Sequence, residues 1–167
     1  MDVSTDLHTL ASVPMVVVCA GAKSILNLSS TTEILETNGV PVIGYKTNEL
    51  PAFYSISSGL PVDYHLDDVS KISNSVKLPR KLGLRSSVLV TVPPPAADAL
   101  DEEYLEKKIN QALEKAKENN ISGSAITPFL LSEVAKTTKE KSLKANHSLL
   151  LNNARVVAKI AISMVVN

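Results

Sequence analysis

The sequence predicts a single α/β domain over residues 1–167, with three layers, α/β/α, around a largely parallel central sheet. Three short apolar runs, starting near Met15, Val40 and Ser87, lack the polar alternation of half-exposed strands. That pattern is typical of strands buried on both faces. Segments with helical periodicity lie between and after these runs, and strands that alternate with helices favour a parallel sheet. A chain of 167 residues is long enough to form one such domain with its own core.

The predicted elements are separated by turn and breaker residues. The strands are continuous apolar runs, whereas the helices have an apolar stripe or a recognisable cap. In chain order the elements are a short helix in DLHTLASV, a strand in MVVVCAG, a helix through ILETNG, a strand in VPVIGYKT, a long loop in LPAFYSISSGLP, a helix in DDVSKISNSVKL, a strand in SVLVTV, a helix in LDEEYLEKKINQALEKAKENN, a helix in FLLSEVAKTT, and a last helix from about Ser142 toward Val166.

Three sequence signals predict where individual helices begin or end. Ser30 and Glu33 have the spacing of a capping box, with Ser30 as the N-cap, and Gly39 is the expected C′ residue of the same helix. Pro79 should stop the helix of DDVSKISNSVKL. Thr127 should cap the helix of FLLSEVAKTT, with the proline after it at the first helical position.

Charge and composition limit the kind of ligand. The 17 basic residues balance the 17 acidic residues, so there is no basic field to collect nucleic acid and no polybasic patch for a membrane. The only cysteine, Cys19, excludes an internal disulfide and a cysteine-built zinc site, which fits a reducing compartment. We expect no segment long and apolar enough to span a bilayer, and MDVSTDL does not resemble a signal sequence. These features predict a cytoplasmic protein that binds a small ligand.

Lys23 stands directly after the first predicted strand, where an apolar helical pattern begins. In open α/β sheets, ligands bind beyond the carboxyl ends of the strands, so Lys23 would project over such a crevice. Gly21 and the alanines beside it let the backbone approach a ligand closely. Taken alone, the same residues also fit a lysine that merely extends into solvent from a strand–helix turn. AGAKS lacks the GxxxxGK[ST] pattern of a P-loop and is a weak phosphate-binding signal.

Several longer stretches resemble one protein family. CAGAKSIL, ETNGVPVIGYKT, ELPAFY, TPFLL and SLKANHSLLLNNA are similar to the pseudouridine-5′-phosphate glycosidase family, also called indigoidine-synthase-A-like proteins. The matches follow the family's order over nearly the whole chain, which corresponds roughly to the family's second half. The resemblance implies an α/β/α fold, present here as an incomplete copy, and assembly as a homotrimer. It also implies a divalent cation, typically Mn²⁺, and reversible hydrolysis of pseudouridine 5′-phosphate to uracil and ribose 5-phosphate.

The resemblance implies roles for five residues near the N-terminus. Lys23 occupies the position of the family's nucleophile, which forms an imine with the sugar. Asp2 matches the metal-binding carboxylate, and Ser4, Thr5 and Asp6 match residues that line the sugar-phosphate subsite. Capping of the short helix is the alternative role for Asp2 or Ser4, and the two roles can coexist. The family's general acid and a substrate-binding lysine belong to its first half, so no residue here takes those roles.

Asn146 and Asn153 lie seven residues apart on the last predicted helix. That spacing is two helical turns, so both lie on one face. Their amides can read a pyrimidine edge or hold an active-site loop, because asparagine both donates and accepts hydrogen bonds. A tie between two helices is the alternative. We retain Asn146 as a candidate substrate-binding residue.

Two functions remain open from the sequence. The first is a pseudouridine-5′-phosphate glycosidase, or the part of one that carries the lysine. The second is a truncated, non-catalytic isoform that binds sugar phosphate or associates with full-length subunits. A turnover assay with pseudouridine 5′-phosphate and manganese separates them.

Overall fold

The computed structural model of this protein describes residues 4, 6–22, 27–138 and 141–166. The elements within these residues alternate much as the sequence predicts. In chain order they are α1 (Asp6–Ser12), β1 (Val16–Cys19), α2 (Leu28–Thr37), β2 (Val42–Tyr45), β3 (Tyr64–Leu66), α3 (Val69–Lys81), β4 (Val88–Thr91), α4 (Glu102–Glu118), a 3₁₀ turn (Gly123–Ala125), α5 (Ile126–Thr137) and α6 (Lys141–Val166).

The four strands form one parallel sheet in the order β1-β4-β2-β3. β4 is an inner strand and is buried at every position. Its Val90 lies opposite Val18 of β1 on one side and Ile43 of β2 on the other. The prediction of an α/β fold with a parallel sheet is therefore confirmed.

Helices cover both faces of this sheet, which gives the predicted three layers. On one face α1 and α2 pack against the sheet, in a cluster that contains Leu7, Leu10, Leu35, Val42 and Leu89. On the other face α3 and α6 do so, in a cluster that contains Ile72, Val76, Val88, Val90, Val156 and Ile160. A third cluster joins α4, α5 and the start of α6 to Ala20, the residue directly after β1.

β1 differs from the prediction of a strand buried on both faces. All four of its residues are only half-buried. The reason is its place in the sheet, because β1 is an edge strand and pairs with β4 alone. Within the described part of the chain, the other side of β1 has no neighbouring strand.

β3 has no counterpart among the predicted elements. It is three residues long and lies at the opposite edge of the sheet, where Tyr64 is 61% exposed. A strand this short and this exposed carries no apolar run that a sequence pattern can detect.

The predicted capping box of α2 is wrong at its first residue. Asn27 is the N-cap, and its side-chain oxygen accepts a hydrogen bond from the backbone N–H of Ser30 at 3.0 Å. Asparagine and serine are about equally good caps, so the earlier one extends the helix by a turn. The other end is as predicted, since Gly39 follows the C-cap with φ of +63°.

The starts and stops of two other helices also differ from prediction. Pro79 lies within the last turn of α3, which continues to Lys81. Proline removes only its own N–H, so the N–H of Leu82 still bonds to Leu78 at 3.1 Å. α5 begins at Ile126 with Ala125 at the N-cap position, so Thr127 lies inside the helix. Pro128 is then its third residue, where a backbone N–H would have no partner within the helix anyway.

α6 contradicts the expectation that no segment is long and apolar enough to cross a membrane. It passes that test by length and composition, and 17% of its most apolar stretch is buried within the described structure. The core helix of a soluble protein can pass the same test, which makes this a weak indication. Val156 and Ile160 of α6 pack on the sheet, whereas Leu143 and Leu150 are 52% and 56% exposed.

Candidate functional site

A cavity of about 420 Å³ runs along β1, from Met15 before the strand to Ala22 after its carboxyl end, on the face that α1 and α2 cover. Its polar wall includes Ser4, Asp6, Thr9 and Thr31. The rest of the wall is mainly apolar and is formed by Leu7, Leu10, Met15, Val17, Cys19, Gly21, Ala22, Leu35, Leu50, Phe53 and Leu89. A mainly apolar cavity with a few polar groups is the usual form of a small-molecule site.

Gly21 fixes the path of the chain as it leaves β1. Its φ is +84°, and a Cβ atom added there would lie 1.7 Å from the backbone oxygen of Pro51. The next residues of that loop are held as well, because the N–H of Phe53 donates to the carbonyl of Ala20 at 2.9 Å. The close backbone approach predicted at Gly21 is therefore an approach to the loop after β2.

Ser4 and Asp6 meet at the start of α1 and both line the cavity. The Ser4 hydroxyl accepts a hydrogen bond from the backbone N–H of Asp6 at 3.3 Å, and the Ser4 carbonyl accepts one from Leu7 at 3.2 Å. Ser4 therefore caps α1, as the alternative interpretation predicted. Because Ser4 also lines the cavity, capping α1 is compatible with its predicted role in a sugar-phosphate subsite.

Three predicted site residues, Lys23, Asp2 and Thr5, lie outside the described residues. The chain on either side of Lys23 is described. Ala22 lines the cavity directly before it, and Asn27 caps α2 a few residues after it. Lys23 thus follows a cavity-lining residue in the chain.

The cavity wall does not include Asn146. Asn146 is half-buried on α6, which packs on the opposite face of the sheet from α1. Further along the same helix, the side-chain oxygen of Asn153 is buried without a hydrogen-bond partner among the described residues. Asn152 beside it donates to the backbone oxygen of Pro93 at 3.2 Å, which ties α6 to the end of β4.

Cys19 contributes an apolar wall rather than a nucleophile. Burial raises the pKa of its thiol, and a weaker opposing effect comes from a hydrogen bond with the backbone of Gly21. The thiol therefore stays protonated at neutral pH, as expected for a cysteine that acts as a small hydrophobic residue.

The described residues do not by themselves make a metal centre. Among them, no group of three or more His, Cys, Asp or Glu side chains is placed to hold an ion. Of the described residues that line the cavity, Asp6 alone carries a carboxylate. The predicted manganese site at Asp2 stays a prediction.

Phe53 is a site residue that sequence reasoning missed, although it belongs to the ELPAFY stretch that carries the family resemblance. It lines the cavity and has φ of +63°, a left-handed conformation that is rare for an aromatic residue. Neither hydrophobic periodicity nor a helix-capping motif predicts such a conformation. A residue in a strained loop next to the strand end is found only from the structure.

Together, the parallel sheet and the cavity along β1 define an α/β protein with a candidate small-molecule site. The sequence profile described as "Indigoidine synthase A like protein" matches residues 1–163. The chain therefore belongs to the indigoidine synthase A-like family, as the resemblance predicts.

Curated relatives carry the name pseudouridine-5′-phosphate glycosidase. The protein from Caldanaerobacter subterraneus subsp. tengcongensis is 50% identical over 163 residues, which are 98% of this chain and 53% of that protein. The protein from Brachyspira hyodysenteriae is 47% identical over 160 residues, or 96% of this chain and 52% of that protein. The chain thus spans about half the length of these relatives and corresponds to their C-terminal half.

Two solved structures share the fold. A prealnumycin C-glycosynthase in complex with ribulose 5-phosphate superposes with a TM-score of 0.93 at 36% identity, covering 98% of this chain and 54% of that one. An indigoidine synthase A-like protein from Thermotoga maritima gives a TM-score of 0.88 at 32% identity, with the same coverage of 98% and 54%.

Proposed function

We propose that this chain is the lysine-bearing part of a pseudouridine-5′-phosphate glycosidase, with Lys23 as the nucleophile. The observation that carries the proposal is that one cavity is lined both by the turn before Lys23 and by the start of α1. The turn directly before Lys23 lines it together with Ser4 and Asp6, which the family resemblance assigns to the sugar-phosphate subsite. The identity of about half of the aligned residues to named glycosidases supports the same reaction.

The chemistry of the substrate calls for an amine. Pseudouridine joins C1′ of the sugar to C5 of uracil through a carbon–carbon bond, so protonating a leaving nitrogen cannot release the base. The Lys23 amine would bond to C1′ while the C1′–O4′ bond breaks, and the nitrogen would lose a proton as O4′ gains one. The nitrogen lone pair then forms the C=N bond as C1′–C5 breaks, and C5 of uracil takes the electron pair and a proton. Water adds to the imine, which releases ribose 5-phosphate and restores the amine.

The walls of the cavity suit the first of these steps. Only a neutral amine can attack, and apolar surroundings disfavour the charged form of a lysine. The cavity is lined largely by leucine, valine and other apolar residues of α1, β1 and β4. Ser4 and Asp6 supply a hydroxyl and a carboxylate that can hold sugar hydroxyls at its rim.

Two roles in the family's reaction have no candidate residue in this chain. The family's general acid and its substrate-binding lysine match no residue of this chain, which spans about half of its relatives. A non-catalytic chain that binds sugar phosphate or joins full-length subunits is therefore the second candidate. It is favoured by the half-buried edge strand β1, which offers a place for further chain.

Turnover and trapping separate these candidates. Uracil release from pseudouridine 5′-phosphate is measured for this chain and for a chain extended to family length, with manganese present in both. Activity in the extended chain alone assigns catalysis to the complete protein. Activity in neither, with the extended chain folded, contradicts the proposed reaction.

Trapping identifies the nucleophile. Ribose 5-phosphate with borohydride should add an open-chain sugar phosphate to Lys23 of the extended chain, and Lys23→Ala should abolish the adduct. Lys46→Ala is the matched control, because Lys46 follows β2, and the carboxyl ends of β1 and β2 lie at the same end of the parallel sheet. Peptide mapping that finds the adduct on Lys46 would refute the assignment of Lys23.

The proposed metal ligand is tested in the same extended chain. Asp2→Ala should raise the manganese concentration needed for half-maximal activity without changing the thermal midpoint, because one oxygen ligand is removed from a water-rich site. An unchanged manganese requirement counts against Asp2.

A further inference from the structure

Phe53 combines a rare backbone conformation with a place in the cavity wall. Its φ of +63° lies in the left-handed region, which glycine adopts freely and a phenylalanine adopts only at a conformational cost. Residues held in such conformations are concentrated at ligand sites, where the surrounding structure maintains them. The backbone conformation favours glycine at position 53, so the presence of phenylalanine there indicates a role for its side chain.

The loop around Phe53 is held from both sides. The N–H of Phe53 donates to the carbonyl of Ala20 at 2.9 Å, which ties the loop to the end of β1. Behind it, the Ser55 hydroxyl donates to the carbonyl of Leu100 at 3.1 Å. These bonds fix the aromatic residue next to Gly21 and Ala22, which directly precede Lys23 and line the same cavity.

The ring of Phe53 is itself held in place by a second ring. It meets Tyr54 edge to face, with centroids 4.7 Å apart and planes at 72°. Phe53 is only partly buried where it packs against the cluster that contains Ala20 and Tyr54. Phe53 is thus a partly exposed aromatic residue that lines the cavity, and an aromatic side chain at such a position offers a surface on which a planar base can stack.

We infer that Phe53 is the stacking surface for the planar heterocycle of the substrate, and so a specificity-determining residue for the base. The inference rests on the proposed function, because it places the base beside the turn that leads to Lys23. Ser4 and Asp6 then face the sugar phosphate, and Phe53 faces the ring that leaves. Packing of Phe53 against Tyr54 for stability alone is the competing explanation.

Binding of two probes tests the inference. Affinities for pseudouridine 5′-phosphate and for ribose 5-phosphate are measured on the unchanged protein, on Phe53→Leu and on Phe53→Tyr. Phe53→Leu should weaken binding of the base-bearing probe by about tenfold and leave ribose 5-phosphate unaffected, whereas Phe53→Tyr should retain both. Tyr64→Leu, on the exposed edge strand β3, is the control and should change neither affinity.

A fluorescence measurement keeps the inference testable if Phe53→Leu does not fold. The sequence contains no tryptophan, so Phe53→Trp introduces a single reporter at the proposed contact. Its emission should respond to pseudouridine 5′-phosphate and not to ribose 5-phosphate. Tyr64→Trp should respond to neither.

The possible failures are distinct. If Phe53→Leu weakens both probes equally, or neither, and the emission of the Phe53→Trp variant does not respond to the base, then the stacking role is wrong while the proposed function stands. If the unchanged protein binds neither probe, this chain alone forms no sugar-phosphate site and the stacking inference is overturned, whereas the proposed function is decided by uracil release from the extended chain.

Discussion

At the scale of single residues, Gly21 shows how the position before Lys23 is set by packing. The residue has a left-handed φ and no room for a side chain, because the backbone of Pro51 occupies the place of a Cβ atom. Sequence reasoning identified Gly21 as a site of close approach but assigned the approach to a ligand. The partner is a loop more than twenty residues further along the chain, and no local pattern can reveal such a contact.

Gly21→Ala should lower the free energy of unfolding by about 2–5 kcal/mol, through backbone strain and overlap with Pro51. Gly39→Ala is the matched control, since Gly39 also has a left-handed φ but no atom within 4 Å of an added Cβ. We expect a loss of about 1–2 kcal/mol there. Denaturant unfolding of both variants measures the difference, and equal losses would contradict the packing argument.

At Asn153, unlike at Gly21, we expect a substitution that does not lower the stability of the protein. Its buried side-chain oxygen has no hydrogen-bond partner among the described residues, and a buried acceptor without a donor costs about 1–3 kcal/mol. Asn153→Leu should therefore leave the protein equally stable or more stable. Asn152→Leu, which removes the bond to Pro93, should cost about 1 kcal/mol. A larger loss for Asn153→Leu than for Asn152→Leu would show that a donor had been missed.

At the scale of elements, α6 is joined to the loop after β4 by a small polar group. The carboxylate of Asp98 accepts hydrogen bonds from Lys144 at 2.8 Å and from Ser148 at 2.8 Å. These two partners hold the pKa of Asp98 below its ordinary value. The same helix is tied to this loop again by Asn152, one turn further along.

The lowered pKa of Asp98 predicts a stability difference that depends on pH. A carboxyl with a lower pKa in the folded state stabilises the fold above its ordinary value of 3.8, and this contribution is lost as the pH falls through the folded-state pKa. Asp98→Asn should thus be less stable than the unchanged protein at neutral pH, by a small amount because Lys144 is 77% exposed. The difference should vanish well below pH 3.8.

Thermal midpoints across this pH range provide the measurement. Asn110→Ala, an exposed change on α4 that removes no carboxylate, is the control and should shift the midpoint equally at every pH. A gap between Asp98→Asn and the unchanged protein that persists in acid would mean that the carboxylate is not its cause.

The elements also show what a sequence can predict. Apolar runs located β1, β2 and β4, and helical periodicity located the six α-helices of the described chain, because burial imposes these patterns directly. Helix ends were less predictable, since Asn27 and Ser30 are both good caps and only packing selects between them. In the site, Gly21 was predicted from the small-residue turn after β1, whereas the roles of Ser4 and Asp6 came from the family resemblance. Phe53 was not predicted, because its role depends on a strand end far away in sequence.

At the scale of the whole molecule, two parts of the described structure lack cover. β1 pairs with β4 alone and is half-buried. On α6, Leu143 and Leu150 lie two turns apart and are 52% and 56% exposed. Parallel sheets normally have both faces covered, and an open edge with apolar surroundings favours association. The trimer implied by the family resemblance is one form that such association can take.

We therefore expect the isolated chain to associate, with a broad unfolding transition. Sedimentation at several concentrations and a thermal melt on the same sample provide the test. Leu143→Lys combined with Leu150→Glu should shift the distribution toward monomer, because it places charges on the exposed apolar side of α6. Leu82→Lys, at a 68% exposed position after α3, is the control. A compact monomer with one sharp transition would instead indicate a self-sufficient domain.

Hydrogen exchange of the β1 amides can show whether another strand pairs with the free side of β1. The carbonyl of Met15 accepts a hydrogen bond from the N–H of Val88 in β4 at 2.9 Å, and that of Cys19 accepts one from Val92, directly after β4, at 2.8 Å. Because successive peptide groups in a strand point to opposite sides, the amides of Val16 and Val18 point away from β4. They should exchange with deuterium faster than the amide of Cys19. A further strand that paired with β1 would slow these two amides first, so deuterium uptake in the strand that leads to Lys23 would report on such pairing.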